Sequence, residues 1–350
     1  MSCYVRCGVV VSVSRLEYAF ILSGVIMVFL IFLTPDIDYD SYFRFQVAYN
    51  MGFSLLYAQS LIWLPGYQFI VAVVKDFVLM RFFSVFCVLA TFKVLENLTF
   101  IDRKVAVATS LFYLFNPFII FYGSQAMSES LSTLLTVSFI YLFVAEKHIY
   151  ATLVLVCGVL TAYSFWVFVP FVLVFGLIRR RKSVAVYLLP VLAIVWWGYI
   201  NYSLANTPLN FLDLASLFHH DISATLFITL NPFNVLLFPV VYPLMFTLPF
   251  TLQLLRKKVT PMNASAKWLL LYFIILSTIL LMAGQVSGYL FGWGRYFIPL
   301  LPVYIMLGCE GALRSKHKRV WTALYLASAI VMTIIQAEEA YNFKLRMSQR

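Results

Sequence analysis

The chain has 350 residues, 63% of them hydrophobic, 18% aromatic and only 11% charged, with a formal net charge of +11. Soluble domains carry about 25% charged residues, so the composition and the mean hydropathy of +0.92 exclude a water-soluble globule. The positive charge is not a nucleic-acid footprint, because it falls in short clusters between apolar runs, at Arg103-Lys104, Arg179–Lys182, Arg256–Lys258 and Arg314–Arg319.

That placement is the positive-inside pattern of cytoplasmic loops. The apolar runs are near the 20 or so residues that a helix needs to cross a bilayer core about 30 Å thick. They predict an all-α polytopic integral membrane protein, in one domain over 1–350, with spans at 16–34, 79–97, 104–122, 126–145, 149–163, 165–179, 183–203, 233–254, 267–284, 296–312 and 320–337. That makes about eleven transmembrane helices, the N-terminus in the cytoplasm and the C-terminus outside. The membrane is the cell membrane of a prokaryote or, in a eukaryote, the endoplasmic reticulum. Arg6 and Arg15 precede the first run as in a signal peptide, but the run is long and lacks a small-residue cleavage site, so it reads as a retained helix.

The first outer loop, 35–78, opens with Asp36-Ile37-Asp38-Tyr39-Asp40. Carboxylates crowded at a low-dielectric boundary have raised pKa values, which suits a general base near neutral pH. The same oxygens suit a divalent cation, and an acidic loop that solvates a helix end needs neither chemistry. Later in this loop, Leu64–Val74 is apolar but too short to span and is followed by Lys75-Asp76. Counting it as a crossing would invert every later basic cluster, so it is predicted to lie on or dip into the outer interface.

The second outer motif, 122–130, holds Ser124-Gln125-Ala126-Met127-Ser128-Glu129-Ser130. Asn116-Pro117 is expected to break or kink the preceding helix. Glu129 then falls in the first turn of the next helix, on the face that carries the aspartates. A plain capping arrangement accounts for it equally well, with Ser128 or Ser124 as cap and an acid favoured by the helix dipole. The outer loop 204–232 contains His219-His220-Asp221, a pairing that could bind metal or relay protons but reads more simply as surface loop.

The outer loop 284–295 is rich in glycine and aromatics and delivers Arg295, followed by Tyr296, to the next helix. An arginine outside runs against the positive-inside trend. It calls for an anionic partner, either a phosphate gripped by the guanidinium or an outer-face acid. Acids have little say in orientation, yet Asp36, Asp38, Asp40, Asp76, Glu129, Asp213 and Asp221 all fall on the outer face, where any chemistry is therefore expected. The cysteines (Cys3, Cys7, Cys87, Cys157, Cys309) show neither metal spacing nor a disulfide framework.

In this order, the motifs resemble the GT-C superfamily of polyprenyl-phosphate-dependent glycosyltransferases. Asp36-Ile37-Asp38-Tyr39 resembles the motif of the glycosylphosphatidylinositol mannosyltransferase I family. Asp40-Ser41-Tyr42-Phe43-Arg44-Phe45 is similar to the corresponding loop of oligosaccharyltransferase catalytic subunits. Trp63-Leu64-Pro65-Gly66-Tyr67, Asn116-Pro117 with Ser124–Glu129, and Gly294-Arg295-Tyr296-Phe297-Ile298-Pro299 resemble later elements of the superfamily. The Trp-Trp-Asp-Tyr-Gly signature and soluble C-terminal domain of oligosaccharyltransferases are absent, which argues against transfer of a whole oligosaccharide.

The resemblance implies transfer of a single sugar, mannose first, from a dolichyl or other polyprenyl phosphate to a hydroxyl of a glycan, lipid or protein. It implies Asp38 or Asp36 as general base, with Asp40 and Glu129 in the same catalytic group. Arg295, Tyr296 and Arg44 would meet the donor phosphate, and Tyr39, Trp63 and Gln125 the substrate. If a divalent cation such as Mg or Mn takes part, Asp36, Asp38 and Glu129 would be its ligands. The rival class is a polytopic transporter or lipid-linked sugar flippase, which predicts ionisable residues near the midplane and repeated halves. The interiors of the predicted spans hold almost no charges, and the second half does not repeat the first.

Overall fold

The computed structural model describes residues 13–34, 44–46, 64–179, 184–210 and 298–348. All regular structure among them is helical. The elements are α1 (Val13–Leu33), α2 (Pro65–Val74), α3 (Phe77–Glu96), α4 (Arg103–Leu114), α5 (Pro117–Gly123), α6 (Ser128–Val144) and α7 (His148–Val159). A 3-10 turn (Tyr163–Val167) leads to α8 (Phe168–Arg179), followed by α9 (Val184–Ala205), α10 (Leu301–Arg314) and α11 (Lys318–Ser348).

Three helices, α1, α3 and α9, are long and apolar enough to cross a membrane, and α4 with α5 makes a fourth if the bent pair counts as one span. The protein is therefore a membrane protein, all-helical among the described residues. Of about eleven spans expected, three to four have spanning length among the described residues, where several other predicted runs are cut by turns. The run 104–122 breaks at Asn116-Pro117 into α4 and α5, which meet at 57°. Proline at the first position of α5 has no N–H to give, and the Asn116 side chain caps the new helix by accepting from Phe118 N at 2.9 Å.

The run 149–163 gives only the 12 residues of α7. It stops where the chain turns and brings the Phe165 ring against Gly158, where a Cβ would lie 2.1 Å from the ring. At 1.5 Å per residue α7 is about 18 Å long, short of the hydrocarbon thickness. The predicted runs 233–254 and 267–284 lie outside the described residues.

α3 is the central element. Half of its span is buried, against 22% for Leu16–Leu33 and 17% for Ala185–Ala205. It packs against α1, α4 and α6, while α7 joins α6 to α9 and α10 lies along α4. The core between them is built from Met27, Phe92, Tyr113, Leu155, Phe165 and their neighbours. α1 turns Tyr18, Ile21, Val25, Phe29 and Phe32 outward, and α9 does the same with Leu192, Val195 and Tyr199. Large apolar side chains exposed along long helices suit hydrocarbon and not water.

α2 has 10 residues, about 15 Å, and cannot cross. It buries Pro65, Tyr67, Gln68, Val71 and Ala72 and leaves Phe69 and Val73 exposed. Its end is fixed by Lys75, which adopts the left-handed conformation (φ 52°) and donates its N–H to Val71 O at 2.9 Å.

Candidate functional site

One end of the helix bundle gathers the C-terminus of α1, the start of α3, the turn between α5 and α6, and α2. α3 starts at Phe77 because the Asp76 carboxylate accepts from Leu79 N at 2.8 Å. Asp76, one of the acids expected on the outer face, is thus spent on starting a helix.

The residue that organises this end is Arg81, in the second turn of α3 and 4% exposed. Its Nη1 donates to Ile31 O at 2.8 Å and to Thr34 O at 2.9 Å. Its Nη2 reaches Leu30 O at 3.3 Å and Thr34 Oγ1 at 3.1 Å. Its Nε donates to Ser124 O at 2.7 Å. The last carbonyls of a helix have no partners within it and carry the negative end of its dipole, so they suit a buried cation at the end of α1. Through Arg81 the end of α1 and the Ser124 turn, far apart in sequence, become one unit.

Arg44 makes the second link. Its Nη1 donates to Ser128 Oγ at 3.1 Å, and Ser128 Oγ donates in turn to Glu129 Oε2 at 3.3 Å. The Arg44 guanidinium carbon lies 5.9 Å from the centre of the Tyr67 ring, a cation–π placement. Ser128 and Glu129 are each 7% exposed. This corrects the capping alternative for Ser128 and Ser124. The cap of α6 is Met127, which makes no side-chain cap bond, and the Ser128 hydroxyl is spent on Glu129. Ser124 ends α5 instead, its Oγ donating to Phe121 O at 2.8 Å. Gln125 is buried beside it, with Nε2 3.4 Å from Ser124 Oγ.

α2 is docked onto the same end by its glycine. Gly66 N donates to Leu160 O at 2.7 Å. A Cβ at this position would sit 2.8 Å from Leu160 O and 2.9 Å from Thr161 Oγ1. The Pro65-Gly66 pair therefore has two local causes, helix initiation by proline and close approach by glycine. Tyr163 and Trp166 follow, with ring centres 5.3 Å apart, and pack with Leu64 and Trp197.

Of the sequence-predicted site residues, the structure brings Arg44 and Glu129 together through Ser128 and places Gln125 in the adjoining turn. Asp36, Asp38, Tyr39, Asp40, Trp63, Arg295 and Tyr296 lie outside the described residues, as do Asp213 and His219-His220-Asp221. Among the described residues no three His, Cys, Asp or Glu side chains converge, and of the three suggested metal ligands only Glu129 is described. The sequence reading missed Arg81. A signal was present, because a single arginine near the expected outer start of an apolar run departs from the positive-inside pattern just as Arg295 is expected to. No protein-family model matches the chain, and no curated protein matches it significantly.

Proposed function

We propose that the protein is a membrane glycosyltransferase that moves a single sugar, mannose first, from a polyprenyl or dolichyl phosphate to a hydroxyl of a glycan, lipid or protein acceptor. The reaction faces the extracytoplasmic side, in a chain of about eleven membrane-embedded segments with a cytoplasmic N-terminus. The observation that carries this reading is the anchoring of both flanks of the aspartate segment on the second motif. Thr34 shares Arg81 with Ser124, and Arg44 bonds Ser128 beside Glu129. Asp36 follows Thr34 by two residues, and two residues of extended chain span about 7 Å.

The mechanism follows from the chemistry of the groups. An aspartate, Asp38 or Asp36, takes the proton of the acceptor hydroxyl. The acceptor oxygen bonds to the anomeric carbon from the face opposite the phosphate, the carbon–oxygen bond to the phosphate breaks, and the configuration inverts. The lipid phosphate departs with the bonding electron pair and needs no strong general acid. Arg295 and Arg44 supply fixed positive charge for that phosphate, which grows more negative as the bond breaks. Glu129, held by Ser128, orients the acceptor.

The test uses purified protein, radiolabelled polyprenyl-phosphate sugars, and membrane lipid or glycan acceptors. Asp36→Asn, Asp38→Asn and Asp40→Asn are compared with wild type. Label should move to an acceptor and stop in one variant that still folds, with Asp38→Asn losing at least about a hundredfold in rate, since a general base contributes roughly 10²–10⁴. Full activity in all three variants would refute the assignment of the base. One observation favours a second reading, a flippase: the 57° break between α4 and α5 is of the kind that transporters use at substrate sites. Binding of the lipid-linked sugar with movement between leaflets and no transfer would establish that reading instead.

A further inference from the structure

Gln68 lies on the buried face of α2 and is 6% exposed. Both ends of its side-chain amide, Oε1 and Nε2, are shielded from solvent and make no hydrogen bond. No other Asn or Gln among the described residues has both ends so placed. A buried amide with neither its acceptor nor its donors engaged is costly, and native folds rarely keep one without use.

The position points to that use. Residues three and four apart share a helix face, so Gln68 is on the side of Val71 and Ala72. That side packs with Met80 and Ala126, the latter inside the second outer motif. The neighbouring Tyr67 carries the Arg44 guanidinium over its ring. The amide is neutral and presents a donor and an acceptor side by side. Two adjacent sugar hydroxyls present the complementary pair, and the lipid phosphate is left to the arginines. Leucine or methionine would fill the same volume without the polar cost.

We propose that Gln68 is a sugar-binding residue whose amide takes two neighbouring hydroxyls of the transferred hexose. This rests on the glycosyltransferase reading above. The test compares wild type, Gln68→Leu and Gln68→Met in detergent, first by thermal unfolding without ligand. Binding is then measured with two probes, polyprenyl-phosphate mannose and the same polyprenyl phosphate without sugar.

The expected result is a midpoint raised by a few degrees in both variants. Affinity for the mannose-carrying lipid should fall tenfold or more, with binding of the bare lipid phosphate unchanged. A lowered midpoint would mean that the amide already has a partner in the fold and would overturn the proposal. Equal affinity of wild type and variants for the mannose lipid would overturn it too, while leaving the glycosyltransferase reading intact. If wild type binds neither lipid, the glycosyltransferase reading fails and the role of Gln68 falls with it.

Discussion

Replacing Arg81 by methionine should uncouple two segments at once. The substitution keeps an unbranched side chain and removes every hydrogen bond that the guanidinium makes to Leu30, Ile31, Thr34 and Ser124. Leu30 O keeps other donors, Thr34 N at 2.9 Å and Thr34 Oγ1 at 2.7 Å. The carbonyls of Ile31, Thr34 and Ser124 bear the loss. Each deserted buried acceptor costs about 1–3 kcal/mol, an upper bound of roughly 9 for the three. One donor group serves them all and the turn can relax, so a net loss of about 3–5 kcal/mol is expected, as when a buried charged network loses a member.

The assay combines thermal unfolding in detergent with hydrogen exchange resolved by peptide. Peptides over 28–34 and 120–128 should both exchange faster in Arg81→Met. Peptides from α7, which Arg81 does not touch, should be unchanged. Arg81→Lys should be intermediate, because an ammonium has three donors and no fork. Stability within about 1 kcal/mol of wild type, or release of only one segment, would refute the argument that Arg81 couples them.

Three further outcomes follow from the same geometry. Gly66→Ala should destabilise by about 1–3 kcal/mol, measured by thermal unfolding, because its Cβ collides with Leu160 O and Thr161 Oγ1. Tyr325 Oη accepts from Asn116 Nδ2 at 3.0 Å and donates to Phe112 O at 3.1 Å, which pins α11 to the bend. A double-mutant cycle of Tyr325→Phe and Asn116→Ala should therefore give a coupling energy above about 0.5 kcal/mol. Arg44→Lys should cost less than about 1 kcal/mol of stability at this half-buried site, yet lower sugar transfer tenfold or more, read as initial rate.

The sequence alone determined the class. Few charges, long apolar runs and basic clusters between them leave no solution but membrane helices, because backbone groups in lipid must be satisfied within the segment. It also located the kink at Asn116-Pro117 and a short helix after Trp63, since proline, asparagine and glycine act locally. Proline starts a helix, asparagine caps it, and glycine permits close approach whatever lies far off in the chain.

Only the tertiary structure decided what Glu129, Ser128, Arg44 and Arg81 do. From spacing alone, Ser128 or Ser124 serves equally well as a helix cap. In the fold, Arg44 arrives from a segment 84 positions away, and the hydroxyl turns to bridge it to Glu129. Arg81 was legible as an anomaly, but it bonds the backbone carbonyls of Leu30, Ile31, Thr34 and Ser124, groups which every residue has and no sequence pattern marks. The end of α7 depends in the same way on the Phe165 ring that packs against Gly158. Long-range contacts between chemically ordinary groups leave no trace in composition or periodicity, and they set the geometry of this site.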